Sequence, residues 1–300
     1  MNLKIVEKAK IYFIVPAIII LLGVVFFFVN GGFVQDIDFA GGLTMTVDMG
    51  KKVDLNEVSD VVKSADASIK NPKVLRGDGN EIVIQTTAVE ANVKHLIEDK
   101  LVEKYGLRID DTNESAVKAA EDIRASMGAQ LRAKALKAAL IACLLMLVYI
   151  TIRFEFFTGA SAVICLLHDV LIMLSFYVIF KIPMNANFIA AMLTIIGYSI
   201  NNTIVVFDRV RENQRKAMRE IKSLVNTSIS QTLKRSIYTT FTTIIPVILL
   251  YILGVESIKE FALPLMVGLL AGTYSSVFLS GSVWAGFKTL SKNKKLKKAH

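Results

Sequence analysis

Residues 193–213 read LTIIGYSINNTIVVFDRVREN, a stretch in which a hydroxyl and two adjacent amides interrupt an apolar run of membrane length. An amide without a hydrogen-bond partner in hydrocarbon costs several kcal/mol. Polar side chains at such a depth therefore usually face the interior of a helix bundle or a water-filled path. Asn201 and Asn202 are accordingly candidates for an ion path, and a structural clamp between helices is the alternative.

The rest of the chain is also apolar. Hydrophobic residues make up 53% of its 300 residues, and its mean hydropathy is +0.51. These values are too high for a soluble globular protein of this length, and runs near the roughly 20 residues that cross a bilayer recur along the chain. No small-x-small cleavage site follows the first run, which we therefore interpret as a retained anchor. The six predicted transmembrane spans are Ile11–Val29, Ala135–Ile152, Ala160–Phe180, Phe188–Phe207, Ile237–Leu253 and Phe261–Phe287.

The charges of the short loops predict the orientation. Lys and Arg gather before the first span and after the second, fourth and sixth, so both termini are expected in the cytoplasm. Residues 30–130 hold 12 Lys or Arg and 18 Asp or Glu, a net charge of −6 within a total of +9. The positive charge thus belongs to the membrane topology and does not indicate nucleic-acid binding. The basic tail is predicted to bind the lipid headgroups of the inner leaflet as a stop-transfer segment. Binding to an acidic partner such as the ribosome is the alternative.

The sequence gives little support for disulfides, metal sites or nucleotide-binding loops. The two cysteines, Cys143 and Cys165, lie in apolar spans, and no histidine has a second His or Cys at metal-ligand spacing. No phosphate-binding Gly-x-x-x-x-Gly-Lys-Ser/Thr loop occurs either. We therefore predict a protein without metal, cofactor or enzymatic activity, whose work is driven by an ion gradient or by a partner.

The segment between the first two spans predicts an extracytoplasmic α+β domain of ferredoxin-like order, β-α-β-β-α-β. Its hairpin around Asp78 and Gly79 has the clearest turn signal. The predicted elements are strand Leu43–Val47, helix Asp54–Ala67, strands Lys73–Arg76 and Glu81–Thr86, helix Ala88–Tyr105, strand Gly106–Asp110 and a further helix Glu114–Met127. The predicted organisation is residues 1–29 for the N-terminus and first span, 30–130 for the domain, 131–287 for spans two to six and 288–300 for the tail.

Span three carries the best candidate for a proton carrier. Asp169 is about ten residues from Gly159 and hence about 15 Å deep at 1.5 Å per residue. A carboxylate at that depth is expected to be protonated, paired or hydrated. A structural hydrogen-bond acceptor is the alternative, and the neighbouring His168 is predicted to be a packing residue.

Spans five and six show two further patterns at helical spacing. One face of span five carries Arg235, Thr239, Thr242, Thr243 and Pro246, which predicts an inward-facing polar stripe. Snorkelling to the headgroups is the alternative for Arg235. Span six has small residues every fourth position, a face suited to close helix packing within the bundle or against a partner. These are Gly268, Gly272, Ser276 and Ser280.

Several short motifs in the sequence resemble those of one family. GYSINNT at 197–203, running into FDRVREN at 207–213, resembles the signature of SecF, and RFE at 153–155 and GLLAGTYSS at 268–276 also match it. DFAGG at 38–42 resembles the Asp-Phe-x-Gly-Gly box of the SecD and SecF families, which is either a structural turn or a substrate-contacting hinge. The signature and structural positions are Asp38, Gly41, Gly42, Gly197, Asp208, Arg209, Gly268 and Gly272.

This resemblance implies a subunit of the Sec protein-export system in the bacterial cytoplasmic membrane. Such a subunit pairs with SecD in a twelve-span, RND-like assembly, works with a SecYEG-type translocon and uses an ion gradient to promote export of unfolded preproteins. A YidC-type insertase and a YajC-type subunit are further expected partners, and membrane lipids surround the spans. The resemblance also associates the matching Arg235 with the proton path, with Thr239 and Thr243 beside it.

One position departs from the family pattern. The family usually has Asn-Asp-Thr where this chain has Asn201, Asn202 and Thr203. Asn202 does not titrate, so coupling would fall to Asp169, to a carboxylate of the partner, or to another ion such as Na⁺. Two other functions stay open: a half-size RND-type exporter of lipid or small molecules, and a structural scaffold of the translocon that uses no gradient.

Overall fold

The computed structural model describes residues 4–69, 72–87, 92–108, 116–123, 125–215 and 220–298. Long helices form a bundle, and a small α+β domain is inserted after the first of them. The helices are α1 Ala9–Val29, α2 Ile37–Ala40, α3 Leu55–Ala65, α4 Val93–Tyr105, α5 Ala125–Arg153, α6 Phe156–Ile179, α7 Ala186–Arg215, α8 Ile221–Leu253, α9 Glu256–Tyr274 and α10 Ser280–Lys298. The strands are β1 Gly42–Asp48, β2 Lys73–Arg76, β3 Glu81–Thr86 and β4 Val117–Ile123.

Six helical stretches of the described chain are long and apolar enough to cross a membrane. The prediction of six spans is therefore confirmed, and the chain is a multi-pass membrane protein. α7 and α8 continue well past their apolar parts because Arg, Glu, Gln and Lys sustain a helix. The spanning stretches are Ala9–Val29, Met127–Arg153, Phe156–Ile179, Ala186–Arg215, Ile221–Leu253 and Ile258–Lys292.

The sixth span is not one regular helix. α9 passes into a π-helical turn at Ser275–Leu279, which joins it to α10. A π turn inserts one residue into the helix and is frequent at functional sites. Here it lies where α9 and α10 pack against α6 and α7.

The inserted domain has the predicted ferredoxin-like topology. Its sheet is antiparallel with the order β2-β3-β1-β4. Alternate residues of the central strand β1, such as Met45 and Val47, are fully buried against Val58 of α3 and Ile97 of α4. The period of two along β1 and β3 thus places one face of the sheet against the helices.

Two predictions in the second half of the domain were wrong. The fourth strand is not Gly106–Asp110: Gly106 ends α4 at φ +67°, and residues 109–115 lie outside the described part of the chain. Residues 117–123, predicted as part of helix Glu114–Met127, form β4. Their Ala, Lys and Glu favour a helix in isolation, but pairing with the open edge of β1 overrides that weak preference.

The remaining domain elements agree with the sequence. β2 and β3 have the predicted bounds. α3 begins after Asp54, whose side chain accepts a hydrogen bond from the Asn56 amide at 2.9 Å. α4 begins at Val93, and residues 88–91 of the predicted helix lie outside the described ranges.

In the bundle, α7 packs against α6, α8 and α9, while α1 and α5 lie on the outside against α6. The outward faces of α1, α5 and α8 expose large apolar residues, including Phe28, Leu144 and Ile252. Such faces suit lipid contact. We call the end of the bundle from which the α+β domain projects the domain end, and the other end the far end.

Candidate functional site

Asp169 lies near the middle of α6 and is 1% exposed. Its Oδ2 accepts hydrogen bonds from Ser199 Oγ of α7 at 2.5 Å and from Ser275 Oγ of the π turn at 3.0 Å. Its Oδ1 lies 2.8 Å from Nδ1 of His168. We call these four residues the Asp169 cluster. A buried carboxylate is tolerated when its oxygens are bonded in this way.

Close helix packing brings these groups together. A Cβ added to Gly272 would lie 3.0 Å from Ser199 Cβ, and one added to Gly268 would lie 2.5 Å from Ile195 Cγ1. The small-residue face of span six therefore packs inside the chain, against α7, and leaves no room for larger residues. The π turn that follows places Ser275 at the carboxylate.

His168 is more than the packing residue that we predicted. Adjacent residues of a helix do not normally face each other, yet its Nδ1 contacts Asp169. Its ring stacks on Tyr274 with 6.4 Å between centroids, and its buried Nε2 has no partner within the described chain. The His-Asp dipeptide in an apolar span was the available sequence signal.

Ser199 and Ser275 were not among the predicted site residues. Serines are common in transmembrane helices, so the residue type alone did not mark these two as site residues. The signal for Ser199 was its place within the GYSINNT word, and Ser275 lies within GLLAGTYSS. Their joint contact with Asp169 depends on the packing of three helices.

The two adjacent amides of α7 lie on different faces of the helix. Asn202 is 2% exposed, and its Nδ2 is buried without a partner among the described residues. Thr203 Oγ1 and Ser236 Oγ of α8 are likewise buried and unpaired there. Asn201 is exposed and lines a groove on the other side of the helix. The structure therefore places Asn202 on the same face of α7 as Ser199 and Asn201 away from it.

The groove that Asn201 lines has a volume of about 840 Å³ and lies toward the far end, between α7 and α8 beside the end of α5. We call it the α7–α8 groove. Five arginines and two acids contribute to its walls, namely Arg153, Arg209, Arg211, Arg215, Arg235, Asp208 and Glu212. Asp208 lies 3.8 Å from Arg153, and Arg209 pairs with Glu212 and donates to Gln231 at 2.6 Å. The exposed guanidinium of Arg235 has no carboxylate partner within the described chain.

We predicted that the threonine stripe of span five faces inward, and this prediction was wrong. Thr239 donates to the carbonyl of Arg235 at 2.9 Å and Thr243 to that of Thr239 at 2.8 Å, so both bond to their own helix, and Thr242 is exposed. A second polar stripe is buried instead, comprising Ser228, Thr232, Ser236 and Thr240. Hydroxyls occur on both faces, so periodicity alone could not select the buried one.

Gly197 differs from the glycines of span six. It is exposed, and a Cβ added there would meet nothing within 4 Å. It shares an open face of α7 with Thr194, Asn201 and Asp208, which are also exposed and follow helical spacing. This open face is continuous with the α7–α8 groove.

The Asp-Phe-Ala-Gly-Gly box joins the domain to the bundle. Asp38 Oδ2 accepts a hydrogen bond from the Ala186 amide at 2.9 Å, at the start of α7. Gly41 has φ +81°, and a Cβ on Gly42 would lie 2.1 Å from the carbonyl oxygen of Thr86. The turn thus requires glycine on steric grounds, and Asp38 anchors α2 to α7.

The arrangement contains two distinct polar regions. The Asp169 cluster is enclosed by α6, α7 and the π turn. The α7–α8 groove is open and basic, and its five arginines outnumber its two acids among the described residues. Asp169 and Arg235, both predicted for the ion path, belong to different regions and make no contact with each other.

Comparison with known proteins identifies relatives over nearly the whole chain. A family model described as protein export membrane protein SecD/SecF, C-terminal, matches residues 104–290. The protein translocase subunit SecF of Sebaldella termitidis is 35% identical over 285 residues, covering 93% of this chain and 90% of the relative. The protein translocase subunit SecDF of Bacillus subtilis is 35% identical over 94% of this chain and 38% of its own length.

A solved structure is similar as well. The crystal structure of SecDF from Thermus thermophilus, described as a translocon-associated membrane protein, superposes with a TM-score of 0.79 at 28% identity. The similarity covers 96% of this chain and 39% of that one. The chain therefore corresponds to a part of these longer SecDF proteins and to nearly the whole of the separate subunit.

Proposed function

The chain belongs to the SecF family of protein translocase subunits, and from this premise we propose that it pairs with SecD and uses an ion gradient to promote preprotein export across the cytoplasmic membrane. Its relatives are named as translocase subunits, a transport role without enzymatic activity. The observation that carries the proposal is a buried, hydrogen-bonded Asp169 at mid-span in a bundle whose neighbouring polar face is uncovered.

The open face of α7 and the α7–α8 groove support pairing with SecD. Arg235, Asn201 and Thr242 are exposed within or beside spanning helices. Such groups are costly against lipid and are expected to face protein or water. A second set of spans over this face would remove that cost, and in the Bacillus subtilis relative the matching region is 38% of a longer SecDF chain.

The Asp169 cluster supports ion coupling within this subunit. The carboxylate lies between α6, α7 and the π turn, so a change in its protonation alters hydrogen bonds to two other helical segments at once. A buried carboxylate that gains or loses a proton changes the free energy of its surroundings strongly. Asn202, which does not titrate, leaves Asp169 as the buried carboxylate of this region, and an acidic residue of SecD would face Arg235.

The remaining parts follow the topology. The positive charges of the far end support a cytoplasmic location for both termini. In this proposal the acidic α+β domain, residues 30–130 in our division, projects outward to engage an emerging preprotein. A SecYEG-type translocon is the expected neighbour, with YidC-type and YajC-type proteins as further partners.

The cavity between α3 and α4 is lined by charged residues such as Lys100 and Glu103, which does not favour a lipid or small-molecule exporter.

Secretion of a reporter preprotein tests the coupling. A bacterial strain lacking its own SecF receives this chain with its SecD, as wild type, as Asp169→Asn, or as Asp99→Asn on the exposed surface of α4. We expect Asp169→Asn to abolish the part of secretion that an uncoupler removes, and Asp99→Asn to retain it. Uncoupler-sensitive secretion that is equal in all three would overturn the role of Asp169.

A structural scaffold is the second candidate, and Asn202 is the observation that favours it, because an amide replaces the carboxylate usual in the family. The same assay separates the two functions. If the chain is a scaffold, it should restore secretion equally with and without the uncoupler, because a scaffold needs no gradient.

A further inference from the structure

Lys73 connects the α+β domain to the membrane bundle. It lies on β2, the edge strand of the sheet, and its ammonium forms ion pairs with Asp36 at 3.0 Å and with Glu260. Asp36 precedes α2 in the connector from the first span, and Glu260 lies on α9 at the domain end of the bundle. One side chain of the sheet thus bonds to two segments outside the sheet.

Glu260 is held in place from the bundle side. Its Oε2 accepts a hydrogen bond at 2.6 Å from Nδ2 of Asn185, which is 5% exposed. The Asn185 Oδ1 in turn accepts from the amide of Phe188 at 3.2 Å, in the first turn of α7. The carboxylate is therefore positioned by both α9 and the start of α7.

Asp36 is fixed by backbone bonds. Its amide donates to the carbonyl of Met184 at 3.0 Å, and the Met184 amide donates to the carbonyl of Val34 at 2.9 Å. The connector is thereby paired with the loop between α6 and α7. Both carboxylates are thus fixed by bonds to segments of the bundle, whereas Lys73 lies in the sheet.

The Lys73 ammonium is kept charged by its partners but remains partly accessible to water. Burial lowers the pKa of Lys73, but the hydrogen bond to Glu260 and the charges of both carboxylates outweigh burial and raise the pKa above its ordinary value. The Lys73 side chain is nevertheless 30% exposed and Glu260 25% exposed. Water therefore reaches the groups and can replace the ion pair when the domain moves.

We propose that Lys73 and Glu260 form a latch that holds the α+β domain in one orientation against α9 and opens when the domain moves. The same helix that presents Glu260 leads to Ser275, 15 residues away, or about 22 Å at 1.5 Å per residue. Ser275 contacts Asp169, and α7 contributes both the turn that holds Asn185 and Ser199. The latch therefore lies at the domain end of α7 and α9, the helices that lead to Ser199 and to the π turn with Ser275. A shift of either helix would reach the domain here.

Distance measurements between paired spin labels test the latch without any assay of export. One label is attached through Asn56→Cys on the exposed side of α3 and the other through Leu253→Cys, at a position 78% exposed at the domain end of α8. Cys143→Ala and Cys165→Ala remove the native thiols, and the full chain is reconstituted in lipid. Lys73→Met, Glu260→Gln and Lys73→Arg are compared with this parent.

We expect a single narrow distance distribution for the parent and for Lys73→Arg, which keeps the charge. Lys73→Met and Glu260→Gln are expected to broaden the distribution at least twofold, and Glu260→Gln does so while keeping an acceptor for Asn185. Lys100→Met is the matched control, because Lys100 pairs with Glu103 within α4 alone, at 2.7 Å. A parent-like narrow distribution in both Lys73→Met and Glu260→Gln, or equal broadening by Lys100→Met, would overturn the latch. Because purified protein suffices, this result is independent of whether Asp169 couples export to a gradient.

Discussion

The Asp169 cluster and the α7–α8 groove are both polar regions within spanning helices, but their environments are opposite. In the cluster, the carboxylate is 1% exposed and bonded to three side chains of the same chain. In the groove, Arg235 and Asn201 are exposed and Arg235 has no carboxylate partner within the described chain. The carboxylate of the first region is hydrogen-bonded within this chain, whereas the second region presents an exposed charge without a counter-charge among the described residues.

Asn201 and Asn202 show how sharp this division is. The two residues are adjacent in the chain but about 100° apart around α7. Asn202 shares the enclosed face with Ser199, and Asn201 shares the open face with Gly197. Substitutions on the enclosed face are therefore expected to alter the folded state of the subunit, and those on the open face its association with SecD.

The largest difference in thermal stability is expected between leucine substitutions at two glycines, Gly268 and Gly197. A leucine in Gly268→Leu would meet Ile195 and Met173, since even a Cβ would lie 2.5 Å from Ile195 Cγ1 and 2.9 Å from Met173 Sδ. Overpacking of this kind costs about 1–3 kcal/mol or more, so the unfolding temperature in detergent should fall by several degrees. Gly197→Leu, where a Cβ meets nothing within 4 Å, should keep the parent unfolding temperature in detergent. Equal thermal stability of the two variants would contradict the division into enclosed and open faces.

Removing the charge of Arg235 from the α7–α8 groove should weaken the association of this chain with SecD. We expect Arg235→Met to reduce recovery of SecD in co-purification by roughly tenfold, equivalent to about 1.4 kcal/mol, because an acidic partner group loses its counter-charge. Lys234→Met is the control, since Lys234 is exposed and contacts the ring of Tyr238 on its own helix. Undiminished recovery with Arg235→Met would show that SecD does not cover the groove.

A carboxylate at position 202, where the resemblance to the SecF pattern implies one, tests whether the enclosed face of α7 takes part in coupling. Asn202→Asp adds a titratable group on the face of α7 that also carries Ser199. We expect secretion under an imposed proton gradient to rise several-fold, with no change under a sodium gradient. Asn201→Asp, on the open face, is the control and should not produce this gain. Unchanged secretion with Asn202→Asp would place coupling in Asp169 or in SecD.

The smallest effect is expected from a single hydroxyl. Ser199→Ala removes the 2.5 Å hydrogen bond to Asp169 and should lower the free energy of unfolding in detergent by about 1 kcal/mol. Ser230→Ala removes a hydroxyl that bonds to the Asn226 carbonyl of its own helix and should change stability by less than about 0.5 kcal/mol. A larger loss in Ser230→Ala than in Ser199→Ala would show that the cluster does not hold α6 and α7 together.

Much of the architecture could be predicted from the sequence, because its causes are local. Apolar runs of membrane length determine the six spans. A period of two with an Asp-Gly turn determines β2 and β3, whose bounds were predicted without error. The depth of Asp169 follows from counting residues along a helix.

The tertiary structure alone decided which polar faces are buried and which are open. Thr240 faces inward, bonding to Thr273 at 2.6 Å, whereas Thr239 does not, although both lie on one hydroxyl-rich helix. Val117–Ile123 forms a strand because β1 offers it hydrogen-bond partners, against its own helix preference. Ser275 reaches Asp169 because Gly268 and Gly272 let α9 approach α7 and because the π turn follows them. Each of these outcomes depends on contacts between segments far apart in the chain, and a local pattern of residue types does not contain them.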